Sequence, residues 1–538
     1  MRLAFITPPP VKPSEPGISA AAAAELLGRL GLDCLMIDAS IEWHRYVLAP
    51  ERLRSSLERA LAQGATAQEA QPWVAAVRSA AESPHALRRR ATYHSRALYS
   101  SAVNHLEQAL RLTARPFPAV RLGIAMFGLV GPSGRLESSA VLDELSARPG
   151  PFDDYYEHGL LPKLETERIS HVAVSLSFQQ QAPAAFRLAR LLSERMPSVV
   201  RLLGGPLVAC WAANAIGLRR PPFSLFHQVV PGSDQDLQGL AALLGAQPQE
   251  ALDFAQAPRS VPLAVMPWSS YLSPEPVVPA ALGRGCYWRA CTFCPDHLHP
   301  RHCPCSPEGL QAFLRAVAAR FPEGAMLHWT DSALPPALLG AMATVIRDER
   351  LPLRWHGFVR VQAELARPDF AQLLAAGGCA LLQLGVETGS PRLLEMTGKG
   401  APVELTRAVL ETTAQAGIRN HVYLLFGLPT ETDADRELTL ALVQDQAGAI
   451  CAINPALLNL PRGSPMHRHR ERFGITELRA FGADTDLSLY DDFRCGASHP
   501  RTEARSWLAH RFFKSPAVRA IRQNLRDPFK ANHLCFLG

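Results

Sequence analysis

The chain has 538 residues, of which 47% are hydrophobic and 19% charged, and a formal net charge of +6. It is too long for one core, so two or three domains are expected in an ordinary globular composition. The basic residues are scattered and no apolar run nears the roughly 18 residues of a membrane span, so neither nucleic acid nor membrane is an expected partner.

"RLAFITPPP" reads as a buried strand, Arg2 to Thr7, stopped by prolines, and is too short for a secretory leader. The expected location is therefore cytoplasmic, where thiols stay reduced. An Ala-rich helix, "GISAAAAAELLGRLG", and a strand, "DCLMIDAS", complete a βαβ opening and imply a parallel sheet. From about 41 to 112 the pattern is helical and arginine-rich, an insertion on which Arg88, Arg89 and Arg90 read as a solvated face. Strand–helix alternation then resumes with "ISHVAVSLSF", "APAAFRLARLLSERM", "VVRLLGGPLV" and "LFHQVVPGSDQDLQGLAALLG". The fold class is α/β, opening with a doubly wound, Rossmann-like parallel sheet over 1–245. Ligands of such sheets bind outside the carboxyl ends of the strands. Those ends carry Thr7–Pro8–Pro9, Ser175 to Phe178, and Gly204–Gly205–Pro206, either as a ligand cradle or as tight turns.

The Pro-rich stretch 246–276 reads as a linker, and six β/α units follow over 277–464, a partial (β/α)6 TIM-type barrel. Polar residues recur where its strands end: three cysteines, Thr330–Asp331, Arg360, Glu387 to Ser390, and Gly427 to Thr432. They point to one shared concave site. The tail, 465–538, reads as helical, and its "HRHRERF" is either an exposed helix or an anion site.

"GRGCYWRACTFCPD" places Cys286, Cys291 and Cys294 in the spacing CxxxxCxxC, three of only 11 cysteines. In a reducing compartment such a cluster points to metal or catalysis. A nucleophilic thiol needs one cysteine, not three. Structural zinc wants four ligands, usually as two pairs, and here Cys303 and Cys305 with His297, His299 or His302 are the nearest that complete a set. An iron–sulfur cluster is held by thiolates, and three of them on four irons leave one iron open.

With the preceding strand, the six-unit barrel, "GVETGS" and "LFGLPTET", the cysteines resemble the radical S-adenosylmethionine superfamily. An aromatic, Phe293, precedes the last cysteine as in that motif, while "YWRA" gives one residue more than its usual first spacing. "TPPP", "LLGGP" and "GRGCYW", in that order, resemble the subgroup with an N-terminal cobalamin-binding domain, although the cobalt-ligating DxHxxG is absent. The resemblance implies that Cys286, Cys291 and Cys294 hold a 4Fe-4S cluster whose open iron chelates S-adenosylmethionine. One electron, from a donor such as flavodoxin or ferredoxin, then releases a 5′-deoxyadenosyl radical that abstracts hydrogen from a small-molecule or peptide substrate. It further implies cobalamin at the N-terminal sheet, where Gly204 and Gly205 leave room for a macrocycle.

Roles for the barrel ends follow. Glu387, helped by Ser390, is expected to accept hydrogen bonds from ribose hydroxyls, the alternative being a salt bridge. Arg360 is expected on the methionyl carboxylate, or paired with Asp331 or Glu364. Thr330 and Asp331 are expected on the amino group, and Gly427 shapes the strand end near adenine. Cys34, Cys210, Cys379 and Cys451 read as buried apolar residues. Three functions compete: cobalamin-dependent methylation of an unactivated carbon or phosphorus, a radical enzyme with a degenerate N-terminal domain, and a non-catalytic metal protein.

Overall fold

The computed structural model describes residues 2–130, 135–231, 239–241, 244–245, 257–298, 302–482, 484–523 and 528–537. The N-terminal strands β1 (Arg2–Ile6), β2 (Asp33–Ile37), β3 (His171–Ser175), β4 (Val200–Gly204) and β5 (Gln228–Val230) form one sheet in the order β2-β1-β3-β4-β5. Every neighbouring pair is parallel. The strands read as near-continuous apolar runs because both faces are covered, as with helix α1 (Ile18–Arg29) and helix α2 (Ala182–Arg195). The order reverses between β1 and β3, and a sheet of this topology offers its ligand crevice there. Helices occupy 39–47, 50–62, 67–78, 82–86, 90–93 and 96–114, and an antiparallel hairpin that the sequence pattern did not suggest joins Val120–Gly123 to Met126–Leu129.

Six parallel strands form the second sheet: β6 (Val277–Ala281), β7 (Ala325–Trp329), β8 (Leu353–Arg360), β9 (Cys379–Glu387), β10 (Arg419–Phe426) and β11 (Ala452–Leu457). A short strand, Arg259–Ser260, adds antiparallel to β6, so part of the expected linker is a barrel edge. Residues two apart on a strand share a face, and one such layer of side chains is polar and continuous. Tyr423 donates to Gln383 Oε1 at 2.8 Å, Gln383 meets His356 at 3.4 Å, and His356 stacks on His328 with ring centroids 4.4 Å apart.

The loop after β1, left open as cradle or turn, is tied down: Gln181 holds the Pro8 carbonyl at 2.7 Å, the Leu272 amide donates to Pro13 O at 2.7 Å, and Glu15 meets His328 Nδ1 at 2.7 Å. Several of its backbone groups find their hydrogen-bond partners on neighbouring elements. Two expectations about the tail and the arginines need correction. The tail is not purely helical, because Leu460–Pro461, Glu477–Arg479 and Tyr490–Arg494 form a small antiparallel sheet before the final helices. The triple arginine is not simply solvated: Arg88 donates to Ser270 O and Tyr271 O at 2.8 and 3.1 Å, and Arg90 pairs with Glu275, stapling the inserted helices to the segment before the barrel. Among the four cysteines expected inside, Cys379 is buried, while Cys34, Cys210 and Cys451 are half-buried. No described helix is long and apolar enough to cross a membrane.

The tail ends under the barrel. Phe529, Leu534 and Phe536 share a core with Met326, Leu381 and Ala452 of the strands, Arg419 donates to Leu534 O at 2.8 Å, and His533 bonds Tyr99 Oη and Leu272 O at 2.9 and 2.6 Å. Burial disfavours the imidazolium, so it lowers His44 to about 4, His421 and His533 to about 3, and His356 well below its ordinary range. Between those values and about 6.5 the unfolded chain binds more protons than the folded one. Stability is therefore fully present above about pH 6.5 and falls as the pH drops, by about 1.4 kcal/mol per pH unit for each such histidine. Urea titrations should give a clearly lower midpoint at pH 5 than at pH 7, and equal midpoints would contradict neutral burial of these rings.

Candidate active site

The cysteine loop is held at both ends. At its start, the Asp331 carboxylate beyond β7 accepts from the Leu282 and Gly283 amides at 2.8 and 2.9 Å. Gly283–Arg284 then pairs antiparallel with Cys303–Pro304, where a Cβ on Gly283 would stand 2.8 Å from Cys303 O. Gly285, at φ 68°, turns the chain into Cys286 in a conformation that favours glycine.

The far side of the loop is tied to 396–400. Trp288 Nε1 donates to Gly398 O at 2.9 Å, the Thr292 amide to Thr397 O at 2.9 Å, and Thr292 Oγ1 to Met396 O at 3.1 Å. Cβ atoms on Gly398 and Gly400 would lie 2.3 Å from Ala290 O and 2.4 Å from the Trp288 ring. Segment "MTGKG" is thus a seat for the cysteine loop, and its glycines flanking a lysine were the one available sequence signal.

Cys286, Cys291 and Cys294 are half-buried and free of disulfides, with the Cys294 amide donating to Cys291 O at 3.3 Å. Burial pushes the Cys291 thiol up, with Lys399 pulling the other way, and pushes Cys294 to about 12. A bound metal needs thiolates, so loading this loop would release protons. Among the described residues no three His, Cys, Asp or Glu side chains are placed to share one metal ion. His299, named for a zinc site, lies outside the described residues.

The expected cofactor residues divide into two groups. Arg360 and Glu387 flank the loop. Arg360, buried, stacks its guanidinium 3.5 Å from the Trp288 ring centroid and donates to Lys399 O at 2.6 Å, so it pairs with neither Asp331 nor Glu364. Its Nε has no partner, and neither does Nε2 of the neighbouring Gln362, whose Oε1 accepts from Tyr287 at 2.7 Å. Two buried donors without acceptors are costly unless something accepts from them. Glu387 sits at φ 67°, beyond a register shift in β9, and its carboxylate pairs with the buried Lys399 at 2.8 Å. The salt-bridge alternative for Glu387 therefore describes its present partner, and Lys399, Trp288, Tyr287 and Gln362 join the site unforeseen.

The others have different work. Asp331 accepts from the two loop amides, one on each oxygen, and so is turned onto the start of the loop. Ser390 is buried, caps helix α3 (Pro391–Met396) and donates to Asp435 at 2.6 Å, which leaves it no hydroxyl proton for a ribose. Gly427, at φ 75°, packs on Arg501 and gives its amide to Glu431 at 2.6 Å, a backbone role. Thr330 donates to Ala280 O at 3.2 Å and faces a different space, the cavity between the two sheets.

That cavity has a volume of about 910 Å³. Ser19 of α1 and Ser175, Gly204 and Gly205 at the strand ends line it from the N-terminal side, and Arg284 and Thr330 from the barrel. Both glycines also have structural reasons: a Cβ on Gly204 would lie 2.8 Å from Val230 O, and one on Gly205, at φ 107°, 2.5 Å from Leu176 O.

Residues 281–443 match the family model described as the Radical SAM superfamily. An uncharacterised protein of Methanopyrus kandleri is 31% identical over 112 residues, 20% of this chain and 21% of that one. An uncharacterised methyltransferase of Pyrococcus horikoshii is 30% identical over 95 residues, 18% of this chain and 20% of that one. The matched stretch thus spans about a fifth of either curated relative. Among solved structures, the radical S-adenosylmethionine methyltransferase TsrM from Kitasatospora setae, with cobalamin and a 4Fe-4S cluster bound, aligns at 18% identity and a TM-score of 0.45, covering 61% of this chain and 74% of its own. The cobalamin-dependent S-adenosylmethionine radical enzyme OxsB aligns at 16% identity and a TM-score of 0.42, covering 58% of this chain and 49% of its own. With its cysteine loop at the carboxyl edge of six parallel strands, this chain carries a Radical SAM superfamily domain over residues 281–443.

Proposed function

We propose that the protein is a radical S-adenosylmethionine enzyme in which Cys286, Cys291 and Cys294 hold a 4Fe-4S cluster. The observation that carries this reading is three half-buried cysteines, none in a disulfide, on a loop fixed at both ends, inside the matched domain. When bound, the cluster supplies the electron that splits the sulfonium of S-adenosylmethionine. The chain's own residues do the positioning. Arg360 and Gln362 offer the unpaired buried N–H groups that suit a carboxylate, and Glu387 is the buried acceptor beside them. The N-terminal sheet is proposed to seat cobalamin, a methyl carrier, in the cavity it shares with the barrel. The proposed reaction is methylation of an unactivated carbon in a peptide or specialised metabolite.

Anaerobic reconstitution should load four irons per chain with broad visible absorption, as a four-iron cluster requires. Changing Cys286, Cys291 and Cys294 together to Ala should abolish the iron and leave the circular dichroism unchanged. Full iron content in that variant would overturn the assignment.

With dithionite, the loaded protein should convert S-adenosylmethionine to 5′-deoxyadenosine. Glu387→Ala should weaken cofactor binding about tenfold or more, the worth of a hydrogen bond to a charged group. It should also cost about 3–5 kcal/mol of stability by stranding Lys399. Adding Lys399→Met should recover stability without recovering binding. If the double variant regains both, Glu387 serves the fold alone.

Hydroxocobalamin should co-elute with the protein on gel filtration. Ala209→Trp, which fills the cavity without disturbing Gly204 or Gly205, should remove it. Wild-type protein that emerges without cobalt but still cleaves S-adenosylmethionine would favour a radical enzyme whose N-terminal domain carries no corrin.

A further inference from the structure

We infer that the exposed strip Arg468, Arg470 and Arg472 is the docking surface for an acidic one-electron carrier protein. The inference rests on the cluster reading above and adds where the electron enters. These arginines belong to "HRHRERF", a segment the proposed chemistry leaves unused. The structure gives it a definite place. Ser464 caps the short helix Pro465–Arg468, and the Met466 amide donates to Thr292 O at 2.8 Å. Thr292 follows Cys291 directly and precedes Cys294 by two residues, and Arg468 stands two residues beyond Met466. At most about 7 Å of chain therefore separates the hydrogen bond from a cysteine on one side and from Arg468 on the other, with Arg470 and Arg472 following two and four residues later. Beneath the strip, Met466 is buried in an apolar cluster with Phe293 and Phe473 packed against it, so the cysteine loop lies under a thin layer of protein.

The outer face is positive and unneutralised. Arg468, His469, Arg470, Glu471 and Arg472 are all exposed, and three arginines against one glutamate leave a charge of +2 on this short stretch. Among the described residues Arg470 and Arg472 meet no carboxylate. Asp491, which the adjoining His467 meets at 3.0 Å, is also held by Arg462 at 2.9 Å. Unpaired surface guanidiniums contribute little to folding, whereas a cluster of them steers an oppositely charged partner. A carrier with an acidic rim around its redox centre fits this charge and this depth. In the complex, an anionic flavin hydroquinone loses one electron and becomes the neutral semiquinone. The cluster gains that electron, and no proton or other atom is transferred.

The test uses the reconstituted protein with flavodoxin as probe, comparing wild type with the triple variant Arg468→Glu, Arg470→Glu, Arg472→Glu. Calorimetry with oxidised flavodoxin reads docking without any turnover. Stopped-flow absorbance of the semiquinone reads electron transfer. At low ionic strength the variant should lose affinity and rate by roughly tenfold or more. The difference should vanish at about 1 M salt, where the screening length is about 3 Å. Reduction by dithionite, and the cofactor cleavage it drives, should be unchanged, because a small reductant needs no docking surface. Equal flavodoxin affinity and rate in variant and wild type would overturn the inference, as would an equal loss with both reductants. Wild-type protein inert to dithionite but still binding flavodoxin through these arginines would fail the cluster reading and leave the docking surface standing.

Discussion

One buried carboxylate sets the start of the site. Asp331, just beyond β7, accepts from the amides of Leu282 and Gly283 where β6 gives way to the cysteine loop. Burial raises it to about 6, while the two amides act to hold it ionised. The chain leaves β6 in one direction only, because two hydrogen bonds from adjacent amides fix the peptide plane between them. Everything downstream inherits that direction: the short pairing with Cys303–Pro304, the left-handed Gly285, and the three cysteines.

The opposite side of the loop depends on close approach. Trp288 lies against Gly400, and Ala290 against Gly398, at separations no Cβ would permit. That fit brings Lys399 between the loop and β9, where it is buried against Glu387. A buried ion pair of this kind is weak evidence for stability, since desolvating both charges offsets most of their attraction. Its location beside a residue held at φ 67°, and beside unpaired donors on Arg360 and Gln362, is better understood as preorganisation of a binding site.

The two sheets are joined by more than a linker. Glu15, from the loop after β1, reaches His328 in the polar layer of the barrel strands, and Asn532 near the chain's end reaches Ser14 of the same loop at 3.0 Å. Lys12 and His328 lower the Glu15 carboxyl against the large opposing effect of its own burial. Such a contact is made only when both sheets are folded and correctly placed. It ties the loop after β1 to the barrel strands through side chains largely buried on both partners.

The periodicity of apolar residues was enough to place both parallel sheets, because strands buried on two faces and the amphipathic helices between them leave local patterns that need no partner to be read. The cysteine spacing was equally legible, since ligands to one group must be close in chain or space and here they are close in chain. Side-chain assignments at the strand ends were not. Asp331 and Ser390 looked available for a cofactor, but the first is turned onto backbone amides and the second gives its proton to a carboxylate brought from another element. Gln362 carried no signal, because its meaning comes from what packs against it, and Lys399 showed only as a lysine between two glycines. The tail's small sheet was missed for the same reason: its short strands lack the length for a periodic pattern and exist through pairing across more than ten residues. The sequence by itself determined the two sheets and the three thiols. Only the tertiary structure decided which polar groups remain free, because a hydrogen bond is spent by its partner, and that partner is chosen by folding.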